Sequence, residues 1–167
     1  MGMSPALELL GRVPLFAGLN PSQLSTVQQL LKHRTWKAKE VILREGEPGQ
    51  TVYILISGTV QVSKKLALGS TGEEVEKSLI HLDAQEPVVF GEASLLENSV
   101  RSATVTAAKP CEAYEIDRAD FIKLCEADPV LGCRAMRNLG QVLEARLRKT
   151  NQDVVKLATA LSIALGR

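Results

Sequence analysis

Between residues 40 and 116, short runs of apolar and β-branched residues alternate with turns that contain glycine. Valine, isoleucine and threonine favour the extended backbone of a strand, whereas glycine marks the points where the chain reverses. The runs that predict strands are residues 41–43, 52–56, 59–63, 76–81, 102–107 and 111–116. Many short strands with regular turns are typical of a barrel or jelly roll. The polar, glycine-bearing stretch 65–74 predicts an exposed hairpin loop.

Helical patterns flank the β-rich region. Residues 21–33 predict a helix, because Asn20 is a candidate cap, Pro21 stands at the first helical position, and leucines follow at helical spacing. The whole pattern predicts a mainly β fold with flanking helices. We expect a double-stranded β-helix (jelly-roll) barrel with N-terminal helices and a long C-terminal helix. The expected units are the barrel with its N-terminal helical segment, residues 1–128, and the C-terminal helix, residues 129–167.

The C-terminal helix carries a second regularity. A short helix is expected after Asp117, and Asp128 with Pro129 then predicts the cap and first turn of a long helix that runs to Gly166. Along it, apolar and small residues recur alternately three and four apart, which is the seam of a coiled coil. The seam contains Cys133, Met136, Gly140, Leu143, Leu147, Thr150, Val154, Leu157 and Leu161. This seam predicts a homodimer through the helix, although the same stripe could pack onto its own barrel.

Composition excludes several classes of function. The 167 residues carry a formal net charge of +1, which predicts no strong attraction to nucleic acid or to an anionic membrane. No apolar run is long enough to span a bilayer. The three cysteines are odd in number and widely spaced, so they match no zinc or disulfide framework. Reduced thiols in a cytoplasmic protein are the expected interpretation.

Arg101 is the strongest candidate for chemistry. It shares its strand parity with Ala103, Val105 and Ala107, so the arginine is expected on an apolar face. A charge buried there without a partner is costly, and Arg101 therefore needs an anion. Gly91 opens a short helical turn just before it, and an arginine facing a helix N-terminus is suited to a phosphate. The alternative is an internal pair with a carboxylate such as Glu92.

The same stretch resembles a known cassette. Phe90-Gly91-Glu92, then Leu95, then Arg101-Ser102-Ala103 is similar to the phosphate-binding cassette of the cyclic nucleotide-binding domain family, the module of the catabolite activator protein and of protein kinase A regulatory subunits. Residues 13–24 resemble the opening helical segment of that family, and residues 44–58 resemble its first hairpins. The resemblance thus covers most of the chain.

The resemblance implies a cyclic nucleotide ligand and a role for each group. Arg101 would bind the phosphate, with backbone N–H groups of Ala93 and Ser94 completing the cradle. Glu92 would accept a hydrogen bond from the ribose 2′-hydroxyl, and Gly91 would lie against the sugar. The remaining expected ligand contacts are Phe90, Ser102, Ala103, Thr150 and Asn151. Ser102 would reach the phosphate or the base edge. Thr150 and Asn151 would lie near the base, or Thr150 would set the register of a dimer.

The expected function is therefore sensing of cyclic AMP, somewhat favoured over cyclic GMP, in which ligand binding moves the C-terminal dimer helix and no catalysis takes place. Neither His33 nor His81 stands beside a recognisable nucleophile or metal-ligand cluster, and no glycine-rich triphosphate loop is present. No metal, cofactor, nucleic acid or membrane is expected, and the output partner is not encoded here. Two alternatives are a degenerate domain used for ligand-independent dimerisation or docking, and a fragment of a larger transcription regulator.

Overall fold

The computed structural model describes residues 5–68, 73–85, 87–96 and 100–166. Within these ranges, four α-helices, two short 3₁₀ helices and eight strands follow one another. The helices are α1 Pro5–Arg12, α2 Pro21–Gln28, α3 Arg118–Ala127 and α4 Pro129–Ala164, with 3₁₀ turns at Pro14–Phe16 and Glu92–Leu95. The strands are β1 Lys32–Trp36, β2 Val41–Leu43, β3 Thr51–Ser57, β4 Thr59–Leu68, β5 Glu73–Asp83, β6 Val88–Phe90, β7 Thr104–Ala107 and β8 Cys111–Asp117.

The strands form two four-stranded antiparallel sheets in the orders β1-β8-β3-β6 and β2-β7-β4-β5. Strand β3 explains how the layers are held together. Val52 and Ile54 face the helices, whereas Tyr53 and Leu55 face the second sheet, because successive side chains of a strand alternate. Strand β3 is therefore buried on both faces, whereas β1 at the edge of the same sheet is largely exposed. This arrangement confirms the predicted jelly-roll barrel with flanking helices and a long C-terminal helix.

Helix α4 has a packed half and an exposed half. Leu131, Ala135 and Leu139 are buried in the core between the helices and the first sheet. Asn138 is also buried, and its amide donates to the carbonyl oxygens of Leu15 (3.2 Å) and Ala17 (2.9 Å). These bonds fix the first 3₁₀ turn against α4, since buried polar groups require partners. Beyond Gly140, most apolar side chains of α4 are exposed.

Some predicted boundaries are wrong. The helix expected over residues 21–33 ends at Gln28, and Lys32–Trp36 instead pairs with β8 as an edge strand. The stretch 65–74, expected as a loop, is mostly strand, because the β4–β5 ladder extends to Leu68 and resumes at Glu73. The turn glycines expected at 69 and 72 lie outside the described residues. The strand expected over 102–107 begins only at Thr104.

The N-terminal boundary signals of α2, α3 and α4 are confirmed. Asn20 and Gln23 form a reciprocal capping box at α2. The carboxylates of Asp117 and Asp128 accept backbone N–H bonds at the starts of α3 and α4. Within the described segments, no helix combines the length and apolarity that a membrane span requires. The proposed division at residue 128 remains a prediction.

Candidate ligand-binding site

A cavity of about 850 Å³ lies between the second sheet, the 3₁₀ turn Glu92–Leu95 and helix α4. This volume is in the range of small-molecule sites. Its apolar walls include Leu43, Val62, Leu82 and Val105 from the sheet and Val154 and Leu157 from α4. The polar end is formed by residues 91–94 and 101–103. The cavity thus offers an apolar slot beside a polar end.

The polar end depends on the turn after β6. Gly91 has φ of 74°, in the left-handed region that favours glycine, and it turns the chain into the 3₁₀ helix. The Ser94 hydroxyl donates to the carbonyl oxygens of Gly91 (2.7 Å) and Thr51 (2.9 Å), which ties the turn to β3. The Ser94 N–H donates to Gly91 O at 3.2 Å, so it is engaged within the turn rather than directed at a ligand.

Arg101 lies at the centre of this polar end and is only 9% exposed. Its Nη2 donates to the carbonyl oxygen and to the hydroxyl of Thr51, both at 2.9 Å. Its Nη1 donates to Gly91 O at 3.3 Å. The main chain of Arg101 also bonds to the β2–β3 loop, through Glu47 O and the Gly46 N–H. Both side chain and backbone of this arginine are therefore held in place.

The charge of Arg101 is not matched by an ion pair within the described segments. No carboxylate in the described part of the chain lies within ion-pair distance of its guanidinium. Burial lowers the pKa of Arg101, and the fields of Tyr53 and Glu92 oppose that shift only in part. Burial without a counter-ion makes an added anion favourable. The described part of the protein therefore does not supply the anion that the sequence predicts for Arg101.

Glu92 pairs with a different arginine and forms no ion pair with Arg101. Its carboxylate accepts a hydrogen bond from Nη1 of Arg146 on α4, and Nη2 of the same side chain donates to Val89 O at 2.5 Å. Arg146 therefore connects α4 to the turn that carries Glu92. From the sequence, Arg146 was interpreted as part of a basic, solvated face of the last helix, because its distance from Glu92 along the chain hides the contact.

Two glycines make room for the Arg101 side chain. A Cβ added at Gly91 would lie 2.9 Å from Nη1 of Arg101 and 3.1 Å from Thr51 O. A Cβ added at Gly49 would lie 2.8 Å from Nε and 2.9 Å from Cζ of the same arginine. Gly91 was expected to leave space for a sugar, which remains a prediction, and its missing side chain also makes room for the guanidinium. The role of Gly49 was missed, since its sequence context indicated only a turn.

The remaining predicted contacts divide into two groups. The cavity is lined by Phe90, Gly91, Glu92, Ala93, Ser94, Arg101, Ser102, Ala103 and Thr150. Asn151 is exposed and does not line it. The Thr150 hydroxyl donates to Arg146 O at 3.0 Å, one turn back along the helix. Lys149 and Asp153 also line the cavity, and neither was predicted from the sequence as a ligand contact.

Phe90 supports the site from beneath. It is 3% exposed, and its ring stacks on Tyr53 with centroids 5.3 Å apart. For metals, no group of three or more His, Cys, Asp or Glu side chains is suitably placed among the residues described. The positively charged group at the polar end is the guanidinium of Arg101. That donor suits a phosphate rather than a cation.

Comparison with known proteins gives consistent results. The cyclic nucleotide-gated potassium channel of Mesorhizobium japonicum is 34% identical over 122 residues, covering 73% of this chain and 30% of the channel. The CRP-like cAMP-activated global transcriptional regulator of Mycobacterium tuberculosis is 29% identical over 151 residues, covering 90% of this chain and 62% of the regulator. The crystal structure of Thermus thermophilus catabolite activator protein superimposes with a TM-score of 0.72 at 29% identity, covering 87% of this chain and 63% of that one.

The chain thus spans between 30% and 62% of the length of the first curated relatives that it matches. The sequence model of the cyclic nucleotide-binding domain matches residues 33–128, which is more than half of the chain. The match includes every strand from β2 to β8 and the whole turn around Gly91 and Arg101. On this match the chain belongs to the cyclic nucleotide-binding domain family.

Proposed function

We propose that this protein is a sensor that binds a 3′,5′-cyclic nucleotide, with cyclic AMP preferred over cyclic GMP. The observation that carries the proposal is Arg101, a buried cation that lines the cavity and forms no ion pair with any carboxylate in the described part of the chain. A cyclic phosphodiester supplies one negative charge and two free oxygens, which suit a guanidinium. The preference for cyclic AMP is supported by the name of the cAMP-activated relative.

The other parts of the cavity fit the rest of such a ligand. A purine base would lie in the apolar slot beside Val154 and Leu157. The ribose 2′-hydroxyl would donate to Glu92, in competition with Arg146, which occupies that carboxylate in the protein alone. Ligand binding would thereby change the contact between Glu92 and α4. Because a ligand biases a helix only through contacts that differ between two states, this pair is the proposed point of coupling.

Binding without turnover is part of the proposal. His33 pairs with Glu112 on the outer surface at 2.8 Å, and His81 is exposed on β5. Neither imidazole lines the cavity, where a general base would have to reach a bound ligand. A cytoplasmic location and a homodimer through α4 belong to the same proposal, and the downstream partner is left unassigned.

Removal of Arg101 is the direct test. Calorimetric titration of the intact protein with cyclic AMP and cyclic GMP should give micromolar or tighter binding. Arg101→Ala should weaken that binding by about 100-fold or more, which is the loss expected when one partner of a buried charge pair is removed. Arg148→Ala is the matched control, since Arg148 is exposed and bonds only to Glu144 among the contacts described. Equal affinities for Arg101→Ala and wild type would contradict the assigned site.

A second function is favoured by the Arg146–Glu92 pair. Because the protein itself occupies the expected ribose acceptor, the domain could serve as a ligand-independent dimerisation or docking module. Such a module would bind neither nucleotide in the titration and would still self-associate. The two functions are therefore separated by the same wild-type experiment.

A further inference from the structure

A chain of hydrogen bonds runs from Arg101 along the first sheet to Arg34 on its exposed edge strand β1. The Thr51 hydroxyl accepts from Arg101 and donates to the Tyr53 hydroxyl at 3.2 Å. Tyr53 in turn donates to Oε2 of Glu115, also at 3.2 Å. Glu115 is bound by both Nε (3.0 Å) and Nη2 (3.2 Å) of Arg34. Each donor in this relay points away from the cavity, toward the carboxylate.

The strands fix the geometry of the relay. Thr51 and Tyr53 are two residues apart on β3, so both side chains stand on the same face. Tyr53 is paired directly with Glu115 across the β3–β8 ladder. Its ring is held between Phe90, stacked at 5.3 Å, and Trp36, edge-on at 5.7 Å. The Tyr53 hydroxyl can therefore orient the Thr51 hydroxyl consistently.

The protonation state of Tyr53 suits this role. Burial raises the pKa of the Tyr53 hydroxyl, and the neighbouring Glu115 carboxylate raises it further, although the bond from Thr51 acts in the opposite direction. The phenol thus keeps its proton at neutral pH and remains a donor to Glu115. With its own proton committed to Tyr53, the Thr51 oxygen presents lone pairs to Arg101.

We propose that Thr51 is a positioning residue for the Arg101 guanidinium, held in its orientation by the relay through Tyr53 to Glu115. The carbonyl and hydroxyl oxygens of Thr51 together fix Nη2 of Arg101. The cavity side of the guanidinium is thereby left for the ligand phosphate. Both acceptors are neutral, so they orient the cation without neutralising it. A carboxylate at this position would instead compete with the phosphate. The inference rests on the proposed binding of a cyclic nucleotide.

Thr51→Val gives the sharpest test, because valine keeps the branched shape and removes only the hydroxyl. Cyclic AMP affinity should fall by about ten-fold, the size of one hydrogen bond to a charged group. Thr51→Ser should restore most of it. Thr59→Val is the matched control, because it also removes a hydroxyl that forms a hydrogen bond, here to Asp83 at 3.1 Å, and Thr59 does not line the cavity. This variant should bind cyclic AMP with wild-type affinity.

A double-mutant cycle with Arg101→Lys separates positioning from general destabilisation. A lysine cannot use the fork that Thr51 orients, so Thr51→Val should have little further effect in that background. The positioning role would be overturned if the affinity losses of Thr51→Val and Arg101→Lys were additive, or if Thr51→Val left the affinity unchanged. In either case, binding by the wild type would still support the proposed function. Failure of the wild type to bind either nucleotide would overturn both proposals. Thermal unfolding of each variant checks that the fold is intact.

Discussion

The side chain of Arg101 occupies space that Gly49 and Gly91 leave empty, so both glycines help to determine the position of the guanidinium. We expect Gly49→Ala to displace the guanidinium, because the new Cβ would lie under 3.0 Å from both Nε and Cζ. The arginine cannot simply swing away, since both of its ends are bonded to Thr51 and the β2–β3 loop. Cyclic AMP affinity should fall by about ten-fold or more, measured by calorimetry.

Gly11→Ala is the control for this substitution. Gly11 lies in α1, and an added Cβ would meet only Leu24 at 3.7 Å, an ordinary contact distance. That variant should bind like the wild type. Wild-type affinity in Gly49→Ala would mean that the arginine has a second acceptable position, and the fixed geometry of the site would then be wrong.

At this scale, sequence alone predicted the burial of Arg101 but not what surrounds it. Parity correctly indicated that Arg101 is buried, but Arg101 precedes β7 and its guanidinium lies among polar atoms of Thr51 and Gly91. Among the described residues no carboxylate forms an ion pair with it, which agrees with the expected need for an anion. The neighbours Thr51 and Gly49 come from a loop and strand about 50 residues earlier, and no local pattern marks them as partners. The Arg146–Glu92 pair was missed for the same reason.

Helix boundaries were predictable at the element scale because their chemistry is local. Asp128 caps α4 by accepting the Leu131 N–H at 3.0 Å, and its other oxygen accepts from Gln23 of α2 at 3.0 Å. Strands β1 and β6 were missed because neither has a clear alternating pattern: β1 is an exposed edge, and β6 is only three residues long. Their pairing with β8 and β3 determines them instead.

The cap at Asp128 predicts a pH-dependent contribution to stability. The bond from Leu131 lowers the pKa of the Asp128 carboxyl, and the bond from Gln23 acts in the same direction. Its charged form is therefore favoured in the folded state. The resulting stability is present above the unfolded pKa, near 4, and is lost as the pH falls through the lower folded value.

We accordingly expect Asp128→Ala to lower Tm at pH 7, and the gap from wild type to narrow at about pH 3. Thermal unfolding followed by circular dichroism at the two pH values measures this. Glu144→Ala on the exposed face of the same helix serves as the control, with a smaller change at pH 7. If the difference in Tm between wild type and Asp128→Ala were the same at pH 7 and pH 3, the charge of Asp128 would not contribute to the cap.

At the scale of the whole molecule, the exposed half of α4 is the feature that a single chain does not explain. Leu157 is 70% exposed and Leu161 is 59% exposed, and both belong to the seam predicted from the sequence. Val154 and Leu157 also line the cavity, so one helix face borders both the ligand site and the proposed dimer interface. Ligand binding and dimerisation would then be linked, and each would change the equilibrium of the other.

Leu161→Glu tests the interface without touching the cavity, which Leu161 does not line. Two glutamates facing each other across the seam would repel and lose apolar contact, so sedimentation equilibrium should show a monomer where the wild type is a dimer. Gln152→Glu, an exposed change of the same charge outside the seam, should remain dimeric. By reciprocity, the Leu161→Glu monomer should also bind cyclic AMP with altered affinity. A dimer that survives Leu161→Glu would move the interface away from α4, and unchanged affinity in a proven monomer would break the proposed link between the cavity and the helix.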